Sequence, residues 1–366
     1  MNEGLERIRI AGLGSLADVT LTPGRLTVLI GANGSGKSNV LRALRFAPLM
    51  RTGSLQSFVA EAGGAASLLH YGPKRTPVLT LELDFIQSAG RSRYAARLGF
   101  AAGDRLMYLD ESVGFAEANE WRMTALGAGH WESRLAEAKH GDATAEAANY
   151  WLSQLTFFHF HDTSLNSALR TNAWADDDRF LRSNGSNLAA YLARLERGEE
   201  PEEQIAWRRI NAYVSRIAPS VKALAPTPVG KGSVRLDWID DHDERFGVHQ
   251  LSDGTLRAIA LVTALAQPRA HLPRFLSIDE PELGLHPAAV RIVAELARSI
   301  SRHTQVLFAT QSTTFLDHFE PEEVVVVERS GGETTLARLE PKALDEWLKD
   351  YSLSEVFDKG VIGGRP

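Results

Sequence analysis

Apolar and polar residues alternate over 7–10 and 18–21, the two-residue period of half-buried strands, and a turn at Thr22-Pro23-Gly24-Arg25 leads into the unbroken apolar run 26–30. That run predicts a strand buried on both faces. Past Ser38 the period becomes helical, with Val40, Leu41, Leu44 and Phe46 on one side and Pro48 expected to end the helix. Residues 52–72 are rich in Gly and Ala and carry no clear period. Stretches 78–85, 94–100 and 106–108 then alternate as an antiparallel meander, turned at Ala89-Gly90 and Gly103-Asp104. A helical pattern over 131–155 precedes a strand at 156–161 and a polar loop with Asp176, Asp177 and Asp178. Helices are expected at 188–195 and at 202–217, the second behind Pro201. The last third predicts a hairpin of 234–239 with 246–250, an apolar helix from near Thr255, a strand running into Asp279 and Glu280, a helix over 287–301 and a strand at 305–309.

Between the buried strand and the first helix, residues 31–38 read GANGSGKS, a full G-x-x-x-x-G-K-[ST] loop in the strand–loop–helix setting that a phosphate cradle needs. Each residue type has a mechanical reason. Gly31, Gly34 and Gly36 let backbone N–H groups turn toward phosphate, Lys37 brings a point charge to the β- and γ-phosphates, and the Ser38 hydroxyl is a ligand for Mg²⁺. The loop predicts a binder of ATP or GTP, and the absence of a base-specifying NKxD motif favours ATP.

Composition narrows the setting. The 366 residues, 44% hydrophobic and 23% charged, suffice for one large α/β domain with an insertion or for two modest domains. With zero cysteines there are no disulfides, thiolate metal sites or cysteine nucleophiles, which fits a cytoplasmic protein. The start lacks the apolar stretch of a signal peptide, and the longest apolar window, AIALVTALA at 258–266, is about half a membrane span, so neither export nor a membrane anchor is expected. A net charge of −6 gives no bulk attraction to nucleic acid, and Arg91, Arg93 and Arg97 read as solvated surface. No internal repeat and no heptad run long enough for a coiled-coil arm is present.

The densest chemistry lies between 246 and 316. In QLSDGTLRA, a turn at Ser252-Asp253-Gly254 opens an apolar helix, a helix N-terminus suited to an anion. The strand in FLSIDEPELGLHP delivers Asp279, positioned to hold Mg²⁺ through water, and Glu280, positioned to orient or deprotonate a water. The last strand ends in Thr310, Gln311 and Ser312.

This order of motifs resembles the ABC-type ATPases, in particular their SMC, RecF and OLD-like branch. GANGSGKSN matches the family's Walker A, LSDGT resembles its LSGGQ signature, and LSIDEPELGLHP looks like Walker B with its dimer-facing loop. The resemblance covers 5–40 and 246–330 and implies an α/β P-loop NTPase fold: an ABC-type ATPase head with an antiparallel β subdomain and a helical insertion. It divides the chain into an N-terminal ATPase lobe with Walker A and the β subdomain (1–130), a mainly helical insertion with a core strand near 156–161 (131–225), a C-terminal lobe with signature, Walker B and switch (226–340) and a tail (341–366). It further implies ATP on Asn33, Gly34, Ser35, Gly36, Lys37, Ser38 and Asn39, Mg²⁺ on Ser38 and Asp279, catalysis by Glu280 with Gln311, and Ser252, Asp253 and Gly254 acting in trans. One loop and one signature per chain imply a head-to-tail homodimer around two ATP.

Three departures stand out. Gln311 replaces the family's switch histidine and cannot carry a proton at neutral pH, so hydrolysis is expected to be slow. The Mg²⁺-sensing glutamine loop has its nearest equivalent in His161 or Asp162. Asp253 sits where a second glycine is common and adds a negative charge that its neighbours must offset. His159 and His161, at period two on the expected strand, read as packed residues rather than metal ligands, and Asp240, Asp241, Asp243 and Glu244 read as a hairpin tip. His286 either faces a dimer partner or leads into the next helix. About 35 residues follow 327–329, too few for the Toprim nuclease domain of OLD-like proteins. The expected role is an ATP-gated regulator of a separate effector, a nuclease, in bacterial phage defence. The alternatives are a RecF-like DNA-repair ATPase that binds DNA and a transporter's ATP-binding subunit.

Overall fold

The computed structural model describes residues 3–117 and 120–364. Two compact units interleave along the chain. The first comprises Met1–Phe157, Pro273–Ser277 and Thr304–Pro366, and the second Phe158–Leu272 and Ile278–His303.

The first unit holds two sheets. In the antiparallel one the strands run in the order Leu16–Leu21, Gly4–Leu13, Val78–Gln87, Gly90–Ala101, Arg105–Glu117, Glu120–Gly127. Its inner face supplies Ile8, Ile10, Leu81, Leu83, Phe85 and Tyr94 to a continuous core, where Phe85 stacks on Trp151 of helix Ala143–Ser153 with ring centroids 5.6 Å apart. The meander is longer than its apolar alternation foretold and gains Glu120–Gly127, a mostly exposed strand with little hydrophobic signal.

On the other face of this sheet, charges pair across the strands. Arg9 joins Asp18 and Glu82, Arg7 joins Glu82 and Asp84, and Arg93 joins Asp84 at 2.6 Å while lying over the Trp121 ring at 4.0 Å. Arg91 pairs with Glu6. Arg91 and Arg93 are thus engaged with acids of neighbouring strands. Burial opposes ionisation of Asp84, but hydrogen bonds from Arg93 and Arg7 outweigh it and hold its pKa below the usual aspartate value. A depressed carboxylate stabilises the fold above the unfolded-state value of about 4, and this contribution is lost as pH falls through the lower folded value. Asp84→Asn is therefore expected to cost about 1.5–3 kcal/mol near neutrality. Thermal unfolding of both proteins across acid pH should show the gap closing.

The second sheet of this unit runs Glu333–Arg338, Val324–Ser330, Leu26–Ile30, Gln305–Thr310, Phe275–Asp279, Leu155–Phe158. Leu26–Ile30 lies parallel to Gln305–Thr310 on one side and Val324–Ser330 on the other, and all five of its residues are buried, as an apolar run between two parallel neighbours must be. Helix Lys37–Met50 runs on through Pro48. Proline's fixed φ suits a helix, it forfeits one backbone bond in the last turn, and burial of Ala47 and Met50 offsets that loss. The period-free stretch 52–72 contains two short helices, Leu55–Glu61 and Ala65–Leu68.

In the second unit, Ser233–Ile239 pairs with Ala223–Val229, Arg245–Gly247 and Ala173–Trp174. Ala223–Val229 carries Pro226 and Pro228, which a strand tolerates when, as here, it lies at the end of the strand order. The acids at 240–244 form the hairpin tip, where Asp240 Oδ1 accepts from the N–H groups of His242 and Glu244. Among the described residues no group of three or more His, Cys, Asp or Glu is placed to hold a metal. Helices Leu188–Arg197, Pro201–Ile217, Asp253–Ala266 and Pro287–Ile300 complete this unit.

Candidate nucleotide site

The phosphate loop leaves the buried strand at Gly31. Because Ile30 is in parallel register with Thr310, the loop and Gln311 leave the sheet at the same edge. Gly36 sits at φ 115°, and a Cβ there would lie 2.0 Å from Thr334 Oγ1, so the turn into the helix admits only glycine. The bracing behind it is a chain of hydroxyls. Asn39 Nδ2 donates to Ser15 Oγ at 2.9 Å, Ser15 Oγ and Thr334 Oγ1 are 2.6 Å apart, and Thr334 Oγ1 donates to the Ser35 carbonyl at 2.7 Å. Asn39 therefore supports the loop from the side, whereas Asn33, Gly34 and Ser38 are exposed at its mouth.

Lys37 is 7% exposed and its Nζ donates to the carbonyls of Gly31 at 2.6 Å and Ala32 at 2.9 Å, folding the ammonium back over the loop. Among the described residues the buried Ser35 hydroxyl has no hydrogen-bond partner. A buried donor awaiting an acceptor, a cation curled over the loop and a glycine turn opening a helix together fit a polyphosphate. The exposed Ser38 hydroxyl at the loop is an oxygen donor, the class that Mg²⁺ takes.

The acids belong to the second unit. Strand Phe275–Asp279 ends in half-buried Asp279, and Glu280 follows at φ 44°, a left-handed conformation that costs a non-glycine residue about 1–3 kcal/mol. Such strain is held only where surroundings fix it, and it turns Glu280 away from the strand direction. His161 Nε2 lies 3.1 Å from the Asp279 carbonyl, so the residue proposed for the glutamine-loop place touches the acid strand's end. The strand before it stops at Phe158, and His159 bonds through its N–H to the Ser183 carbonyl, so the two histidines do not share a strand face. Asp162 is exposed; its carboxylate accepts hydrogen bonds from Ser164, which lower its pKa.

Ser252 caps helix Asp253–Ala266, its Oγ accepting from the Thr255 N–H at 3.2 Å. Gly254 packs so closely on the loop after the acids that a Cβ would lie 2.4 Å from the Gly284 carbonyl. Gly254→Ala must push backbone from backbone and is expected to destabilise the protein by about 1–3 kcal/mol, visible as a lowered melting temperature. His286 caps helix Pro287–Ile300, its side chain accepting from the Ala288 N–H.

Two arginines escaped the sequence reading. Arg257, 8% exposed, donates to the carbonyls of Phe160 at 3.0 Å, His161 at 2.8 Å and Leu283 at 2.5 Å, fastening the signature helix to the His161 segment and to the loop beyond Glu280. Burial pulls its pKa below the ordinary guanidinium value. The signal was available: it is the lone charge among residues 256–266, all of which are buried. Arg170, 4% exposed, meets Asp253 at 2.8 Å and so supplies the offset that the signature's aspartate demands. Nothing in the sequence around residue 170 announces that pairing.

The structure thus gathers Gly31 to Asn39 and Gln311 at one sheet edge of the first unit. It gathers His161, Ser252, Asp253, Gly254, Asp279 and Glu280 around Arg257 and Arg170 in the second.

Solved SMC heads share this fold. The head bound to the C-winged helix domain of ScpA superposes with a TM-score of 0.64 at 14% identity, covering 93% of this chain and 99% of the other. An Smc head with an extended coiled coil, bound to the C-terminal domain of ScpA and derived from Pyrococcus furiosus, gives 0.63 at 13% identity, covering 95% and 99%. The SMC head domain from Thermotoga maritima gives 0.51 at 12%, covering 92% and 99%. No curated protein matches the chain in sequence. Residues 26–126 and 158–317, well over half of the chain, match the family described as "AAA domain, putative AbiEii toxin, Type IV TA system". The chain belongs to that AAA-domain family, and its fold is the one that solved SMC heads adopt.

Proposed function

We propose that this protein is an ATP-gated switch. Two copies join head to tail around two ATP, hydrolysis reopens them, and a separate effector delivers the output. The observation that carries the reading is the presence in one chain of one phosphate loop with a buried, unpartnered Ser35 hydroxyl and one signature, Ser252-Asp253-Gly254, opening an apolar helix. Each is half of a sandwich that two copies complete.

In this scheme Lys37 moves its ammonium from the loop carbonyls onto the β- and γ-phosphates, and Ser35 donates its orphaned hydroxyl to phosphate oxygen. Ser38 and Asp279 would each offer an oxygen to Mg²⁺, which when bound would offset charge on the phosphates. Glu280 orients or deprotonates the attacking water. Gln311 holds the γ-phosphate or that water by hydrogen bonds without accepting its proton, which keeps turnover slow. His161, bonded to the end of the acid strand, takes the glutamine-loop role. The dimer contact is expected to run through the signature of one copy and the ATP of the other.

A separate effector, most simply a nuclease acting in phage defence, accords with a family description that names a toxin–antitoxin system. Protein partners also accord with the two SMC heads that were solved bound to ScpA domains. A cytoplasmic site is proposed, and among the described residues no helix is long and apolar enough to cross a membrane. ATP-dependent binding of duplex DNA at physiological salt, without an effector, would instead favour a RecF-like repair role.

Phosphate release from Mg-ATP tests the scheme. Specific activity should rise with protein concentration, because a lone copy lacks a signature on its nucleotide. Activity per copy that is constant on dilution to monomer would contradict shared sites.

A further inference from the structure

We propose that Arg170 is the positioning residue that makes an aspartate compatible with the signature, and that it thereby sets how readily the signature accepts the γ-phosphate of the other copy's ATP. The inference rests on the dimer reading above. Asp253 stands in the first turn of helix Asp253–Ala266 beside the capping Ser252, with its side chain 67% exposed. A bare carboxylate there would repel the phosphate that the same helix end is to receive.

Arg170 answers this from within the fold. Its Nη2 donates to Asp253 Oδ1 at 2.8 Å and to the Leu251 carbonyl at 3.2 Å, its Nη1 to the Val248 carbonyl at 2.7 Å, and its Nε to the Thr163 carbonyl at 2.8 Å. The fork therefore cancels the aspartate's charge and also ties residues 248–251, which lead into the signature, to the segment just past Asp162. A lysine, with one compact ammonium, keeps the charge and loses the fork. Arg257 also attracts Asp253 electrostatically, but its hydrogen bonds go to the carbonyls of Phe160, His161 and Leu283. Arg170 alone of the two bonds the carboxylate directly.

The test reads the ATP concentration that half-dimerises the Glu280→Gln protein, by light-scattering mass. Adding Arg170→Met should raise that concentration by about tenfold or more, since one member of a hydrogen-bonded charge pair is left bare. Adding Asp253→Asn to that protein should recover most of the loss, a rescue that a purely structural role for Arg170 would not produce. Asp253→Asn without the arginine change keeps an acceptor for Nη2 and removes the negative charge, so it should close at the same or lower ATP. This arm stands even if Arg170→Met fails to fold. No change with Arg170→Met, no rescue by Asp253→Asn, or a several-fold higher ATP requirement for Asp253→Asn alone would each overturn the inference while leaving the dimer intact. Absence of any ATP-dependent dimer in the Glu280→Gln parent would instead defeat the dimer reading, and this inference with it.

Discussion

Lys37→Ala should lower affinity for ATP by about 10²–10³-fold, the cost of removing a charged partner from a buried phosphate contact. The side chain is 7% exposed and rests on the Gly31 and Ala32 carbonyls, so its ammonium is already desolvated and aimed at the loop before nucleotide arrives. Little reorganisation opposes its transfer to phosphate. The substitution leaves those two carbonyls at the loop mouth without their cation, and the Ser15, Asn39 and Thr334 bracing is untouched, so folding is expected to survive. Equilibrium binding of a fluorescent ATP analogue, with a thermal melt as control, checks both halves. Affinity within threefold of the parent, about 0.7 kcal/mol, would mean that the loop does not hold triphosphate through this lysine.

Glu280→Gln should slow hydrolysis by about 10²–10⁴-fold while preserving ATP binding. Glutamine matches glutamate in shape and still accepts a hydrogen bond, so it can occupy the φ 44° position as glutamate does, but it is no base. Phosphate release under single-turnover conditions isolates the chemical step. Gln311 cannot take over the proton, and His161 contacts the end of the acid strand through the Asp279 carbonyl. Normal hydrolysis by Glu280→Gln would move the catalytic role to another group.

How far such sites can be read from sequence depends on how local their chemistry is. The phosphate loop was legible because a backbone cradle requires glycine at fixed spacing, and the parallel core strand Leu26–Ile30 because burial on both faces leaves an unbroken apolar run. Asp279 and Glu280 were legible as acids closing such a strand. Glu120–Gly127 was hidden because its residues are mostly exposed, and Ala223–Val229 because two prolines mask a strand that an edge position allows. The bond between Arg170 and Asp253 joins residues 83 apart, and no local period encodes it. Sequence posed the problem of the signature's extra negative charge; the fold supplies its neutraliser. Likewise the hydroxyl chain behind Gly36 brings Ser15 to Thr334 across 319 residues, through side chains too common to stand out in a sequence.

The central claim is that ATP joins two copies of this protein. The most direct measurement is the light-scattering mass of Glu280→Gln with and without Mg-ATP. A mass that doubles on adding ATP, and fails to double when Lys37→Ala is introduced as well, is the predicted result. A mass that stays monomeric with ATP bound would contradict the account.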